Sequence, residues 1–301
     1  MKRIIVFIFR IIYEISVKAK LIKPAIVIHV DGGVCSQMHQ YLLGYFFMKK
    51  GYRVEYDLSW YLENGMDLNK RDVRNFDLLN AFPSLNFKEV NKYILKLYRH
   101  FYVYKGEYPN NKSLEWTDLV PPKLFLGYYA DPDVLYTEYF QEAFPIDLSV
   151  LDAGNLIIYQ EIIPEKSAAV HVRRGDLAVE TNAYGVPATL EYFKNGIDFL
   201  KKKMDVKFFY LFSDDKEYLR KELIPYVGLH EMEYRIIQNG ADKGYFDMIL
   251  MSRCNHVITS KGTLGKYGAL LNLKEKKTVV VCKDDKQTFM LNVKLIEKIA
   301  L

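Results

Sequence analysis

The most informative residues form the segment AVHVRRGD at positions 169–176, where two guanidinium groups stand side by side. Arg173 and Arg174 could each bind phosphate oxygens in bidentate fashion, and both keep their charge when water is removed. Gly175, which follows them, allows a backbone to come close to a phosphate. Side chains alternate along an extended strand, so at most one arginine is expected to enter a binding cleft unless the chain turns there.

Strands position these residues. The sequence predicts three strands that end in polar groups. Ala168–Val172 is a short apolar run, which indicates a buried strand that ends at the arginines. Lys207–Phe212 and His256–Thr259 predict further strands of the same kind. The carboxyl edge of an open parallel sheet is where such folds bind ligands. The residues expected to bind a ligand at this edge are Arg174, Gly175, Ser213, Asp214, Ser260, Lys261, Gly262 and Thr263.

The loop after the last of these strands has two interpretations. Lys261, Gly262 and Thr263 precede a predicted helix at 265–271. Backbone N–H groups and the helix dipole at such a position could cradle a phosphate. The alternative is a loop that only caps the helix.

Alternating strands and helices predict an α/β fold with two Rossmann-like halves. The chain opens as strand, helix and strand between residues 25 and 57, and a second series of strands and helices starts near residue 167. We therefore predict a basic amphipathic segment at 1–24, an N-terminal domain at 25–155 and a C-terminal domain at 156–301.

Composition excludes several classes of protein. The chain has 301 residues, of which 50% are hydrophobic and 26% are charged, as is typical of a globular protein. A net charge of +5 is too small to indicate nucleic-acid binding. The three cysteines are far apart in the sequence and show no metal-binding spacing, so neither disulfides nor a zinc site is expected, and a reducing cytoplasm fits best.

The N-terminal segment 1–23 is apolar and basic. Arg10 interrupts the apolar run, so we expect neither a transmembrane span nor a signal-peptide core. One interpretation is a basic amphipathic helix that lies on the inner face of the cytoplasmic membrane. The other is a first helix that packs on the body of the protein.

Five segments, in order along the chain, are similar to the motifs of bacterial α-1,2-fucosyltransferases, the glycosyltransferase family 11 type. The segment at 169–176 contains the HxRRGD motif of that family. The other four are GGVCSQMHQY at 32–41, LGYY at 126–129, FSDD at 212–215, and DMILMS at 247–252 with a following HVI. Together they extend from residue 32 to about residue 271.

The resemblance implies a GT-B fold, in which two Rossmann-like domains face a central cleft. It implies a GDP-fucose donor, no metal or other cofactor, inversion at the anomeric carbon and a galactose 2-hydroxyl in a glycan acceptor. The motif points to Arg173 as the phosphate ligand, with Asp176 the first candidate for general base and His171 the second. Both could instead orient the arginines or bind the nucleotide. The residues expected on the acceptor side or in the cleft are Gly32, Gly33, Gln37 and Tyr128.

Two departures from the family pattern concern predicted cleft segments. Cys35-Ser36 replaces the Gly-Asn of the first motif, and SKGTLGKYGA at 260–269 replaces NSxFSWWGA, with both tryptophans absent. Two alternatives therefore stay open. One is transfer of another GDP-6-deoxyhexose such as GDP-colitose, and the other is a non-catalytic relative that binds nucleotide or glycan.

Two further readings have less support. Asp131-Pro132-Asp133 is a DxD triplet, by which metal-dependent GT-A enzymes hold Mn²⁺, but about one such triplet is expected by chance in this sequence. A dinucleotide-dependent dehydrogenase is disfavoured because no GxGxxG follows either opening strand.

Overall fold

The computed structural model describes residues 2–63, 65–66, 73–105, 119–128, 136, 139–175, 177, 186–285 and 287–301. The chain divides into two compact units. Unit 1 comprises Met1–Leu79 and Pro83–Leu135, and unit 2 comprises Asn80–Phe82 and Tyr136–Leu301. Each unit contains a parallel β-sheet with helices, so the predicted α/β class with two Rossmann-like parts is confirmed.

Unit 1 is built on a three-stranded parallel sheet with the order β2-β1-β3. The central strand β1 is buried along most of its length, as its uninterrupted apolar sequence predicts. The strands are β1 (Ala25–His29), β2 (Arg53–Asp57) and β3 (Lys123–Phe125). The helices in this part of the chain are α1 (Lys2–Lys18), α2 (Val34–Lys49), α3 (Ser59–Glu63), α4 (Leu78–Ala81) and α5 (Lys92–Phe101).

Helix α1 packs on unit 1 through one of its faces. Tyr13 is buried, and its hydroxyl lies 2.7 Å from the hydroxyl of Tyr98 on α5. Phe9 and Val17, one turn on either side, pack against the same cluster. Helix α1 of the predicted segment 1–24 is therefore an integral part of unit 1, because the face of the helix that contains Tyr13 belongs to the core. None of the described helices is long and apolar enough to cross a bilayer.

Unit 2 contains a six-stranded parallel sheet with the order β6-β5-β4-β7-β8-β9. Numbered from its own first strand, this is the order 3-2-1-4-5-6 of the Rossmann fold. The strands are β4 (Ser167–Val172), β5 (Phe208–Ser213), β6 (Tyr234–Ile236), β7 (His256–Thr259), β8 (Lys277–Val281) and β9 (Ile296–Ala300). The α-helices are α6 (Phe140–Ala143), α7 (Ala153–Glu161), α8 (Leu190–Lys203), α9 (Lys216–Tyr218), α10 (Ile224–Val227), α11 (Gly244–Arg253) and α12 (Leu264–Leu270), with a π-helical segment at Leu219–Leu223 between α9 and α10.

The division between the units falls after Leu135, ahead of the boundary predicted after residue 155. Aromatic packing explains the difference. The ring of Phe140 lies 5.4 Å from that of Tyr267 on α12, and Phe144 lies 5.1 Å from Phe140. Leu151 also joins a buried cluster with α11. These contacts belong to unit 2, and weak periodicity in the aromatic middle of the chain gave no sign of them.

Candidate functional site

Three neighbouring strand ends form the candidate site of unit 2. Strand β4 lies between β5 and β7, and its register pairs Val172 with Ser213 and His171 with Thr259. The loop that starts at Arg173 therefore emerges between the loops that follow β5 and β7, as predicted. The direction of the sheet order reverses between β4 and β7, and such a switch point is where Rossmann-type sheets bind ligands.

The loops after β4 and β7 are joined through Ser260. The backbone N–H of Arg173 donates to Ser260 Oγ at 2.9 Å, and the Ser260 N–H donates to the carbonyl of His171 at 3.0 Å. Ser260 is completely buried. In the structure it fixes the start of the Arg173 loop, and its role in donor binding stays a prediction.

Arg173 packs against Gly262 in the loop after β7. Gly262 has φ of +105°, a conformation that favours glycine. A Cβ on Gly262 would lie 2.5 Å from Nη1 and 3.1 Å from Cδ of Arg173. One of the two interpretations of the sequence is that Gly262 belongs to a loop that cradles a phosphate. In the structure, this glycine first of all provides space for the arginine side chain.

Arg174 takes the opposite direction, toward the loop after β5. Its guanidinium carbon lies 3.9 Å from the centroid of the Tyr218 ring, and Nε is 4.0 Å from Asp215 Oδ2. The two arginines therefore diverge toward the two neighbouring loops, and both lie beyond the end of β4, where the alternation of a strand no longer applies. Cation–π contact and the nearby carboxylate both stabilise Arg174 in this position. Its predicted role in donor binding is untested.

Asp214 and Ser213 shape the Arg173 loop. The two carboxylate oxygens of Asp214 accept hydrogen bonds from the N–H groups of Arg174 and Gly175, each at 2.9 Å. A Cβ on Gly175 would lie 2.7 Å from Asp214 Oδ2, so the glycine permits this contact. The Ser213 hydroxyl is buried and donates to the carbonyl of Val172 at 2.7 Å. Ser213 and Asp214 therefore position this loop, and their donor contacts stay predictions.

His171 is buried and neutral in the folded protein. Burial, followed by the charges of Arg173 and Lys266, lowers the pKa of His171 to about 3. Its Nδ1 lies 3.1 Å from Ser260 Oγ, whose proton it can accept when the ring carries its own proton on Nε2. A group with so low a pKa is a weak base at neutral pH. Its burial and low pKa therefore argue against His171 as the general base.

The buried imidazole makes a testable contribution to stability. Because the folded pKa lies below the unfolded value, the unfolded state binds the proton more tightly, and stability is lost as pH falls from about 6.5 toward 3. The loss is at most about 1.4 kcal/mol per pH unit. We expect His171→Asn, which keeps an acceptor near Ser260, to flatten this decline. Urea unfolding of both proteins from pH 7 to pH 4 measures it, and parallel curves would contradict the expectation.

Lys261 and Thr263 flank Gly262 in the loop after β7, and their contacts do not show whether they bind a ligand. The ammonium of Lys261 pairs with Asp284 Oδ2 at 2.6 Å, and Asp284 is largely exposed. Thr263 precedes α12, and its side chain makes no capping hydrogen bond. Neither the phosphate-cradle nor the capping interpretation of this loop is decided by these contacts.

A buried ion pair supports the loop after β7, and the sequence analysis missed it. Lys266 on α12 is completely buried, and its ammonium contacts Asp285 Oδ2 and the carbonyl oxygen of Gly262. Burial lowers the pKa of Lys266, and the Asp285 carboxylate opposes that shift. The available signal was a lysine inside an otherwise apolar helix, GTLGKYGALL.

In unit 1, the predicted residue Gln37 is structural. It is completely buried, and its amide nitrogen donates to the carbonyls of Gly32 and Asn75 at 3.0 and 2.8 Å. Its amide oxygen accepts from the N–H groups of Asp77 and Leu78, each at 2.9 Å. With four hydrogen bonds to the backbone, Gln37 joins the loop at Gly32 to the segment at 75–78, and its role on the acceptor side stays a prediction.

Gly32 and Tyr128 meet at the carboxyl end of the unit 1 sheet, as predicted. Tyr128 donates its hydroxyl to Asp31 Oδ1, which also accepts from Gln40 Nε2 at 2.8 Å. Gly32 has φ of +71°, and a Cβ there would lie 2.9 Å from Ser36 Oγ. Gly33 has open space at its Cβ position. Asp31, which the sequence analysis did not select, adds a half-buried carboxylate to this edge.

Two predicted sets lie outside the described residues. These are Asp176, the first candidate for general base, and the Asp131-Pro132-Asp133 triplet. Within the described parts of the chain, no group of three or more His, Cys, Asp or Glu side chains could hold a metal ion. None of the three cysteines forms a disulfide, as predicted.

Comparison with known proteins identifies the class to which this site belongs. Residues 152–299, which contain the unit 2 sheet, match the family model described as Glycosyl transferase family 11. An alpha-1,2-colitosyltransferase of Escherichia coli is 25% identical over 264 residues, which are 82% of this chain and 87% of the relative. The galactoside 2-alpha-L-fucosyltransferase Sec1 of Mus musculus is 30% identical over 110 residues, which are 36% of this chain and 29% of the relative.

Two of the solved structures to which this chain is similar give TM-scores below 0.5. A glycosyl transferase family 9 protein from Veillonella parvula DSM 2008 gives a TM-score of 0.46 at 11% identity. The alignment covers 92% of this chain and 85% of the Veillonella chain. The Escherichia coli ADP-heptose lps heptosyltransferase II gives a TM-score of 0.43 at 12% identity. The alignment covers 91% of this chain and 90% of the heptosyltransferase chain.

An open Rossmann-type sheet with an arginine at its switch point, in a segment matched by a glycosyltransferase model, defines the protein as a sugar-transferring enzyme. Residues 152–299 are similar to glycosyltransferase family 11, and the predicted resemblance to the α-1,2-fucosyltransferase type is confirmed.

Proposed function

We propose that the protein transfers L-fucose from GDP-fucose to a glycan hydroxyl, the 2-hydroxyl of a terminal galactose in a surface polysaccharide or oligosaccharide. The observation that carries the proposal is Arg173, fixed at the switch point of the unit 2 sheet by Ser260 and Gly262. Negative charge grows on the β-phosphate as the bond to the sugar breaks. A preplaced guanidinium stabilises that charge without a metal ion.

The acceptor hydroxyl must lose a proton as it attacks the anomeric carbon, and the reaction inverts that centre. Asp176, three residues after Arg173 in the same motif, is the base that we propose. The low pKa of His171 supports this choice over the histidine. Lys261 and Thr263, beside Gly262, are proposed to contact the diphosphate together with Arg174.

Transfer of colitose from GDP-colitose is the second candidate. The observation in its favour is coverage, because the similarity to the colitosyltransferase extends over 82% of this chain and that to the fucosyltransferase over 36%. The two sugars are both 6-deoxyhexoses, so the same diphosphate-binding arginine serves either donor.

A donor screen distinguishes these candidates. Purified protein is incubated with a β-galactoside and either GDP-fucose or GDP-colitose, with EDTA in one arm, and products are identified by mass spectrometry. We expect one fucosylated product at a rate that EDTA does not change. A colitosylated product alone supports the second candidate. Loss of activity in EDTA contradicts metal independence, and GDP binding without turnover on any donor contradicts the enzymatic proposal.

We also propose that α1 holds the enzyme at the inner face of the cytoplasmic membrane. The face opposite Tyr13 exposes Ile8, Ile12 and Ile15 by 51%, 56% and 60%. An amphipathic helix with exposed apolar groups binds the headgroup region of a bilayer, and nearby lysines add attraction to anionic lipid. The exposed lysines that follow this face are Lys18, Lys20 and Lys23.

A triple variant tests the membrane proposal without removing the buried face of α1. We expect Ile8→Gln, Ile12→Gln and Ile15→Gln together to weaken sedimentation with anionic liposomes at least tenfold and to leave transfer to soluble acceptors unchanged. The matched control replaces Ile157 and Ile163, two exposed isoleucines of unit 2, with glutamine. Equal sedimentation of the triple variant and the wild type would remove the membrane role.

A further inference from the structure

The ion pair of Lys266 and Asp285 is enclosed behind the loop that carries Gly262. The side chains of Lys266 and Asp285 are 0% and 4% exposed, and their charged groups are in direct contact. Asp285 is itself held in place, since its Oδ1 accepts from the N–H of Gln287 at 2.8 Å. The lysine has a second contact, a hydrogen bond to the carbonyl oxygen of Gly262.

Burying an ion pair costs more free energy of desolvation than filling the same space with apolar side chains. Removing two charges from water costs several kcal/mol per ion, and apolar side chains of similar volume often stabilise a protein as well or better. The neighbouring positions on α12, from Gly265 to Leu270, are buried. The structure around Lys266 therefore suits an apolar residue, and the pair needs an explanation other than stability.

The hydrogen bond from Lys266 reaches the residue that contacts Arg173. Gly262 is the point at which the loop passes the arginine, with its Cβ position 2.5 Å from Nη1. Fixing the Gly262 carbonyl fixes the orientation of this peptide and so the wall against which the arginine side chain lies. The Asp285 carboxylate at the same time neutralises Lys266, so the arginine is not opposed by an uncompensated charge behind it.

We propose that Lys266, paired with Asp285, is a positioning residue that holds Gly262 and thereby sets the geometry of Arg173 toward the departing diphosphate. The inference rests on the proposed function, because it assigns Lys266 a task in the step that Arg173 catalyses. Lys266 touches no substrate in this account, and its effect on the reaction passes entirely through the arginine.

A thermodynamic cycle tests the proposal. The double variant Lys266→Met, Asp285→Leu replaces the pair with apolar groups, and we expect it to keep the fold while kcat falls at least tenfold with a smaller change in KM for the GDP-sugar. Combined with Arg173→Ala, it should cause no further loss of kcat, because two changes that act through one group are not additive. Folding of each variant is verified by circular dichroism and thermal unfolding.

Lys277 provides the matched control. It is a second buried lysine of unit 2, at the amino end of β8, and it donates to the carbonyl of Ser252 at 2.5 Å. Burial lowers the pKa of Lys277 to about 8. The amino end of the strand is the opposite edge of the sheet from Arg173. We therefore expect any effect of Lys277→Met on kcat to be additive with that of Arg173→Ala.

The outcomes distinguish the role of Lys266 from the role of Arg173 and from the proposed function. Wild-type kcat in the folded double variant, or losses that multiply with those of Arg173→Ala, would overturn the role of Lys266 and leave the proposed function intact. Wild-type activity of Arg173→Ala alone would instead remove the leaving-group role of Arg173, and a wild-type protein that transfers no sugar would remove the proposed function. If the double variant does not fold, Lys266→Met with Asp285→Asn, which also removes the donor to Gly262 but keeps an acceptor for the Gln287 N–H, is measured in the same cycle with the same criteria.

Discussion

Replacement of Arg173 by alanine is expected to lower turnover by at least two orders of magnitude while the fold is retained. Removal of one preorganised electrostatic donor typically costs a factor of about 10² to 10³ in kcat. The fold should persist because the contact that anchors this loop uses the Arg173 backbone N–H, which donates to Ser260 Oγ and which alanine also has. Initial rates of GDP release measure the effect, with circular dichroism to verify folding.

Two companion variants make the result specific. Arg173→Lys keeps the charge and loses the bidentate fork, so we expect a rate between those of the wild type and the alanine variant. Arg174→Ala removes a guanidinium that stacks on Tyr218, and its effect should be much smaller. Equal losses in the two alanine variants would contradict the assignment of the main leaving-group contact to Arg173, and undiminished turnover in Arg173→Ala would contradict it altogether.

The sequence is sufficient to predict the edge at which the site lies. Apolar runs that end in RRGD, SDD and SKGT identify three strands, and parallel pairing places their carboxyl ends together. These predictions succeed because they depend only on local pattern and on the geometry of a parallel sheet.

The contacts that shape the site could not be predicted in this way. Gly175 and Gly262 both suit a phosphate loop, yet their nearest neighbours are Asp214 and Arg173, which the register of distant strands brings there. The pairing of Lys266 with Asp285 likewise depends on how α12 meets the loop after β8. Local periodicity contains no information about such long-range contacts, and this also applies to the boundary between the two units.

Gln37→Ala is the substitution expected to destabilise unit 1 most. The side chain donates twice and accepts twice, all to backbone groups. Its loss would leave the N–H groups of Asp77 and Leu78 and two carbonyls without these partners. At about 1 kcal/mol for each hydrogen bond, and more where the abandoned group stays buried, the free energy of unfolding should fall by about 4 kcal/mol. Urea unfolding measures this loss.

A control and a local probe distinguish this role from a direct one in binding. Gln238 is an exposed glutamine whose amide bonds to the Ile236 carbonyl at 3.2 Å, so Gln238→Ala should change stability by less than about 0.5 kcal/mol. Hydrogen exchange of the Asp77 and Leu78 amides should accelerate selectively in Gln37→Ala. A variant of wild-type stability that had lost only acceptor affinity would return Gln37 to the substrate site, since a residue that binds substrate cannot at the same time use all of its amide groups within the fold.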